Sequence, residues 1–304
     1  MPPPIASAFA GLACALAVAC AHGQQLEPRA YSNVPVGINF ATAGFSHSSG
    51  DVLPDPSIPA RDAAATVNAL FAAYSRSLDL GGQSGLVSVI VPWASGTASG
   101  LLEGQPASVE RTGFGDPSLK LSMNFVGAPA LTLKEFAGYR QTTIVGGSLQ
   151  VTAPLGSYDP ARIVNVGTNR WTLKPELGVS RALGKWVLEG ALAVSLFTDN
   201  HDYQVNRTRT QEPLYSAQAH LVYNFRPGMW AAVNYTFYAG GRSSVDGVAR
   251  DDRIENSRWG LTLTVPLDLR NSVKLYASTG VLARTGTDFD MAGIAFQHRW
   301  GGGL

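Results

Sequence analysis

Lys174 and Glu176 stand two residues apart, and a set of isolated polar residues surrounds them in the sequence without forming a compact motif. In an extended chain, residues two apart project to one face. The same parity gathers Lys120, Asn124, Arg170, Lys174, Glu176, Glu189, Gln218, His220, Asn224, Asn234, Arg258 and Lys274 on one side of their segments. Lys174, Glu176, Glu189 and His220 fall on three consecutive segments and are expected to meet as a charged network across neighbouring strands. Two chemistries fit such a set. Fixed charges around a narrow path sort solutes, or salt-bridged side chains simply fill a narrow interior.

Other chemistries find less support. His47-Ser48-Ser49 brings a histidine near hydroxyls, as nucleophilic catalysis requires, but no G-x-S-x-G elbow accompanies it. The five histidines, His22, His47, His201, His220 and His298, lack metal-ligand spacing. Asp199, Asn200 and Asp202 offer oxygen ligands for a hard cation, without the glycine and closing glutamate of an EF-hand. Together with Asn169 they are candidates for an outer gate. No glycine loop that would cradle phosphate follows a strand, and no basic stretch tracks a nucleic acid. The expectation is a protein that is not an enzyme, with no cofactor, no metal and no nucleic-acid partner.

The elements that position these residues repeat one pattern. Arg170–Ser180 reads RWTLKPELGVS, with every second residue apolar. About twelve such segments run from Val34 to Trp300. They lie near 34–47, 62–80, 83–93, 116–126, 141–153, 169–181, 185–198, 213–225, 229–240, 255–267, 272–284 and 288–300. Short connections (Leu80–Gln83, Leu183–Lys185, Arg226–Gly228, Asp268–Asn271) alternate with long polar ones (48–61, 94–115, 155–168, 199–212, 241–254). This asymmetry predicts an all-β fold, a transmembrane up-and-down antiparallel β-barrel of about 12 strands with short periplasmic turns and long extracellular loops. Gly127–Arg140 breaks the rule; it is expected to hold a short helix within Leu131–Tyr139, or a hidden strand pair. Pro175 removes a ladder hydrogen bond and is expected to mark a bulge. Trp171, Trp186, Tyr223, Phe225, Trp230, Trp259 and Trp300 lie at segment ends and are candidates for aromatic girdles at headgroup depth.

Of the 304 residues, 45% are hydrophobic and only 15% charged, with net charge +1; soluble domains carry roughly 25% charged residues. Residues 1–23 read as a signal peptide. Ile5–Ala21 is apolar and small, and cleavage is expected near Ala21 or Gly23, although Met1-Pro2-Pro3-Pro4 supplies no basic n-region. Residues 24–304 then form a single outer-membrane barrel domain. Both cysteines, Cys14 and Cys20, fall in the leader, which removes disulfides and thiolate chemistry from the mature chain. Lipidation at Cys20 is disfavoured by Ala17 where a lipobox carries Leu.

The chain resembles the outer-membrane family named for the meta-pathway of phenol degradation. The resemblance rests on Arg29–Gly37 (RAYSNVPVG), Gly115-Asp116-Pro117, Asn165–Gly178 (NVGTNRWTLKPELG), Phe197–Asn200, Gln211–Tyr215, Pro227–Ala232, Tyr238–Arg242 and Asp288-Phe289. It implies a transporter-like, porin-like barrel in the cell outer membrane and passive uptake of small hydrophobic or aromatic solutes. The alternatives are a structural or surface-interaction barrel with a plugged lumen, an outer-membrane hydrolase, and a soluble secreted β-sandwich. The expected partners are the outer-membrane lipid bilayer, those solutes and the barrel-assembly machinery. The Gly301–Leu304 tail departs from an aromatic terminal residue, a role that falls to Trp300.

Overall fold

The computed structural model describes residues 27–53, 60–102, 104–162 and 164–304. The expected leader and both candidate cleavage positions lie outside the described residues, as do Cys14, Cys20 and His22.

The first strand, β1 (Ile38–Leu53), pairs with β2 (Ala60–Asp79), which pairs with β3 (Ser84–Leu102). Next come β4 (Gln105–Phe114), β5 (Ser118–Val126) and, after the single-turn helix α1 (Leu133–Phe136), β6 (Thr143–Thr152), β7 (Thr172–Leu183) and β8 (Trp186–Phe197). Two short strands, β9 (Asn200–Tyr203) and β10 (Arg207–Gln211), precede β11 (Leu214–Arg226) and β12 (Met229–Gly240). Two more, β13 (Ser243–Val245) and β14 (Val248–Ala249), precede β15 (Ile254–Pro266), β16 (Asn271–Ala283) and β17 (Gly286–Gly301). Twelve of these strands close an antiparallel barrel in the order β1-β2-β3-β5-β6-β7-β8-β11-β12-β15-β16-β17, and β17 returns to β1 from Ile38↔Gly301 to Leu53↔Gly286.

Alternation decides the facing. Leu119, Leu121, Leu149, Leu177, Leu192, Val233 and Leu261 all point outward and are exposed on the barrel surface. Lys120, Ser122, Asn124, Glu176, Ser180, Gln218, His220 and Asn234 occupy the intervening positions and are buried inside. A soluble sandwich would hide the leucines against a second layer; here the polar face is hidden and the apolar face is offered to lipid. No helix among the described residues is long and apolar enough to cross a membrane; the strands cross it.

The four tight connections form as expected. In one of them Asp268 accepts from the backbone N–H of Arg270 (2.7 Å) and Asn271 (2.8 Å) and from Asn271 Nδ2 (2.7 Å). These donors hold its carboxyl below the ordinary range. The irregular connection 127–142 carries the short helix and no strand pair; its Thr132–Glu135 capping box closes the first turn.

Several expectations need correction. The first strand starts at Ile38, not Val34, because residues 27–37 leave the wall. Of the stretches expected to be loops, 48–53, 60–61, 94–102 and 105–114 are strand. β2 and β3, with 20 and 19 residues, far exceed the roughly nine to eleven needed to span a bilayer, so they rise well beyond the membrane. β4 and β5 are one descending strand broken at Gly115-Asp116-Pro117: β3 pairs with β4 above the break (Trp93↔Phe114) and with β5 below it (Ile90↔Ser118). Stretches 199–212 and 241–254 fold into an outer sheet of order β14-β13-β10-β9, tied by Arg207 Nε to Asp246 Oδ2 at 2.7 Å. Pro175 marks no bulge. β7 keeps one register against β8 on either side of it, from Leu173↔Leu196 to Glu176↔Ala193, and pairs directly with Leu149 of β6.

The break at Gly115–Pro117 anchors the remaining long loop. Asp116 Oδ1 accepts from Gly156 N (2.9 Å), and Oδ2 from Thr168 N (2.8 Å) and Thr168 Oγ1 (2.6 Å). Asp116 is buried. Replacing it with Ala strands three donors, each charge-assisted bond contributing roughly 1.5–3 kcal/mol. Asp116→Ala is expected to open loop 153–171 to limited proteolysis and to lower the unfolding free energy read by urea titration in detergent by about 2–4 kcal/mol, less than the sum of three bonds because water reaches the freed donors. Protection equal to the parent would contradict the anchoring role.

Candidate functional site

Residues 27–37 run into the lumen from the short-turn end. Val36 N–H donates to the Leu131 carbonyl (2.8 Å) and Gly37 N–H to that of Ser77 (3.1 Å), which fixes the entry point. Asn33 Nδ2 then donates to the Pro129 carbonyl (3.1 Å). Deeper in, Tyr31 is buried, and its hydroxyl donates to Glu176 Oε1 at 2.8 Å. Its ring lies over Gly146 and Gly178, which oppose each other on β6 and β7. A Cβ at Gly178 would sit 2.1 Å from the Tyr31 ring, and one at Gly146 2.6 Å from it. These two glycines are the seat of the segment.

The segment also divides the polar wall. Arg29 N–H donates to Glu189 Oε2 (2.5 Å), and its guanidinium reaches Asn224 Oδ1 (3.3 Å) and stacks over Trp230. Glu27 forms an ion pair with Lys120, and Lys174 and Lys274 also lie in its electrostatic neighbourhood. The network expected among Lys174, Glu176, Glu189 and His220 therefore does not join directly. Lys174 Nζ stands 3.7 Å from Glu176 Oε2, while Glu189 accepts from Ser180 Oγ (2.9 Å) as well as from Arg29. His220 Nδ1 belongs to a separate chain through Asn234 Oδ1 (2.8 Å), whose Nδ2 donates to Thr262 Oγ1 (3.0 Å).

The other candidates distribute as follows. Asn124 donates to Ser84 Oγ (2.8 Å) at the short-turn end. Gln218 is buried on β11. Arg258 donates to Ser278 Oγ (3.2 Å) and to the Phe289 carbonyl. Arg170 precedes β7 at the outer mouth, where it covers the Phe197 ring at 4.3 Å and donates to Gln211. Asn169 Nδ2 donates to Asn200 Oδ1 (2.9 Å), so these two gate candidates meet. Asp202 donates its backbone N–H to the same Asn200 Oδ1 (3.0 Å) while its side chain stays exposed, and Asp199 is exposed. His47 and Ser48 point to opposite faces of β1, His47 outward against Asn68 Oδ1 at 2.9 Å and Ser48 inward.

Among the girdle candidates, Trp171, Trp186, Phe225, Trp259 and Trp300 are exposed on the outer surface. Trp186 meets Tyr223 edge-on at 4.7 Å, and Tyr223 meets Phe225 at 5.0 Å. Trp230 is an exception. It shares the inward parity of Ala232 and Asn234 on β12 and packs against Arg29 inside the lumen.

Above Glu27 the lumen opens into a cavity of about 410 Å³. One side is apolar: Val67, Ala69, Phe71, Ile90, Pro92, Ala94, Phe289 and Met291. The other carries Gln150, Lys174, Ser216, Tyr238, Arg258, Thr262 and Lys274. Phe71 lies against Gly44, where an added Cβ would fall 2.3 Å from its ring, so the wall is shaped to hold the ring flat. Sequence reasoning missed this apolar side because β2 and β3 are apolar on both faces, so no alternation marks it. It also missed the inserted segment. The available signal was the loss of alternation over Arg29–Pro35 in a stretch that nonetheless carries Glu27, Arg29 and Tyr31.

Replacing Gly178 with Leu removes the seat of Tyr31 without touching the outer face. Gly178→Leu is expected to expose Arg29 to trypsin and to raise planar-bilayer conductance several-fold, with heat-modifiable gel mobility intact. Unchanged cleavage and conductance in a folded variant would reject the seat.

The comparisons with known proteins agree with this geometry. The COG4313 outer membrane channel from Pseudomonas putida F1 superposes with a TM-score of 0.77 at 21% identity, covering 91% of this chain and 100% of that one. The transport unit of the autotransporter AIDA-I from Escherichia coli superposes with a TM-score of 0.56 at 7% identity, covering 98% of each chain. No curated protein sequence matches the chain. At these identities the likeness establishes the fold, an outer-membrane barrel. The family described as "Putative MetA-pathway of phenol degradation" matches residues 42–300, nearly the whole chain, and the protein belongs to that family.

Proposed function

We propose that this outer-membrane barrel is a channel for the passive uptake of small hydrophobic or aromatic solutes. The observation that carries this reading is the two-sided cavity inside the barrel. Its volume of about 410 Å³ falls within the roughly 300–1,000 Å³ of small-molecule sites. A dry apolar cavity of roughly 150 Å³ already accommodates benzene, so single-ring solutes fit with room to move. The apolar wall removes such solutes from water, while the polar wall keeps binding shallow enough for release. The Pseudomonas putida channel with the same architecture supports the reading. Insertion into the membrane would fall to the barrel-assembly machinery, with β17 and Trp300 as the terminal strand it meets.

A plugged barrel acting through its outer surface is the second reading, favoured by the lodging of Glu27–Gly37 in the lumen. The hydrolase reading is left with His47 and Ser49, which share one face of β1; Ser48 faces the lumen, and His47 is bonded to Asn68 Oδ1 at 2.9 Å.

The test is uptake. A porin-deficient Gram-negative host expressing the chain is expected to take up radiolabelled benzyl alcohol, at low external concentration, several-fold faster than the empty-vector control. Equal rates would reject the channel and leave the plugged barrel standing.

A further inference from the structure

The cavity carries more positive charge than its neighbours consume. Its lining includes three cations, Lys174, Arg258 and Lys274, and two carboxylates, Glu27 and Asp116. Both carboxylates are already engaged. Glu27 is paired with Lys120, and Asp116 accepts three hydrogen bonds from Gly156 and Thr168. The cations are less well matched. Lys274 makes no hydrogen bond or ion pair among the described residues, and the counter-charge acting on it is that of Glu27. Lys174 stands 3.7 Å from Glu176, whose other oxygen is bound to Tyr31. Arg258, 4% exposed, spends its Nη2 on Ser278 and Phe289, while its Nε has no partner among the described residues; Asp288 and Asp290 act on it electrostatically but form no ion pair with it.

Cations in a low-dielectric lumen that share counter-charges already engaged elsewhere are costly, and a ligand that supplies a carboxylate offsets that cost. The opposite wall of Val67, Phe71, Ile90, Pro92, Phe289 and Met291 suits an apolar body and carries hydroxyls (Ser46, Ser48, Thr287) but no cation. We infer that the cavity is a binding site for a small organic monoanion, an apolar ring or short chain ending in a carboxylate. The body would lie on the β2–β3 wall and the carboxylate face Lys274, Arg258 and Lys174. This deepens the solute-channel reading and rests on it: among apolar solutes, the charged acid is preferred to its neutral isostere.

The test is titration calorimetry of the detergent-solubilised full-length barrel at neutral pH with benzoate, benzyl alcohol and benzylamine, which share a ring and differ in charge. The expected order is benzoate at least tenfold tighter than benzyl alcohol, with benzylamine not binding. Lys274→Met is expected to weaken benzoate at least tenfold and to narrow its advantage over benzyl alcohol. The three-probe comparison needs no variant and stands if that variant fails to fold. Equal affinities for benzoate and benzyl alcohol would overturn the inference, as would a folded Lys274→Met barrel that binds benzoate normally. If benzoate does not bind while benzyl alcohol uptake in cells persists, the anion site falls and the channel remains. If uptake is absent as well, both fall.

Discussion

A lipid bilayer offers the backbone no hydrogen-bond partner, and each unsatisfied N–H or C=O in it costs several kcal/mol. A sheet answers this only by closing, and the pairing of β17 with β1 over the full length of β1 is that closure. Everything else about the chain follows from it. Closure forces a period of two on twelve strands, sends one parity to lipid, and leaves the other parity around an interior too wide for side chains to fill.

The interior then faces its own difficulty. Lys120, Glu176, Glu189, His220 and Arg258 are in or near a low-dielectric wall, where unpaired charges are unfavourable. The barrel meets this with its own N-terminal segment. Glu27 answers Lys120, Arg29 answers Glu189, and Tyr31 satisfies Glu176. Each contact joins residues far apart in sequence, so the segment holds the polar wall together as much as it narrows the path. Higher in the lumen the cations of the polar wall face, across the cavity, a largely apolar wall.

Where the barrel obeys period two against lipid, the sequence reads correctly: β12 matches its expected range at both ends and most others agree within one to three residues. Reading fails where a different physical rule takes over. The stretches 94–115 and 199–212 look like polar loops, yet above the membrane a strand needs no greasy face and can be polar on both sides. Trp230 looks like a girdle residue by position, but its parity puts it inside, where Arg29 covers it. Residues 27–37 have no periodicity because their partners are side chains from five strands and backbone carbonyls of β2 and the 127–142 connection. The lumen-facing set follows from parity alone; who pairs with whom inside it depends on a segment whose path no local pattern encodes.

The double-sided greasiness of β2 and β3 has a consequence for how the sheet specifies itself. Elsewhere a slip of one residue would turn charges toward lipid, and that cost fixes the register. Along Val67–Tyr74 and Val87–Ala94 a slip exchanges one apolar set for another, with Leu70, Tyr74, Val89 and Val91 outside and Val67, Phe71 and Ile90 inside. The information that aligns these two longest strands must therefore come from their ends and from shape. The turn at Leu80–Gln83 provides one mark, with Gly82 N–H on Asp79 Oδ1 at 2.7 Å and two glycines at positive φ. The Gly44 slot that seats the Phe71 ring provides another. In this part of the wall the message that sets alignment is written in two glycine-bearing positions rather than in hydrophobicity.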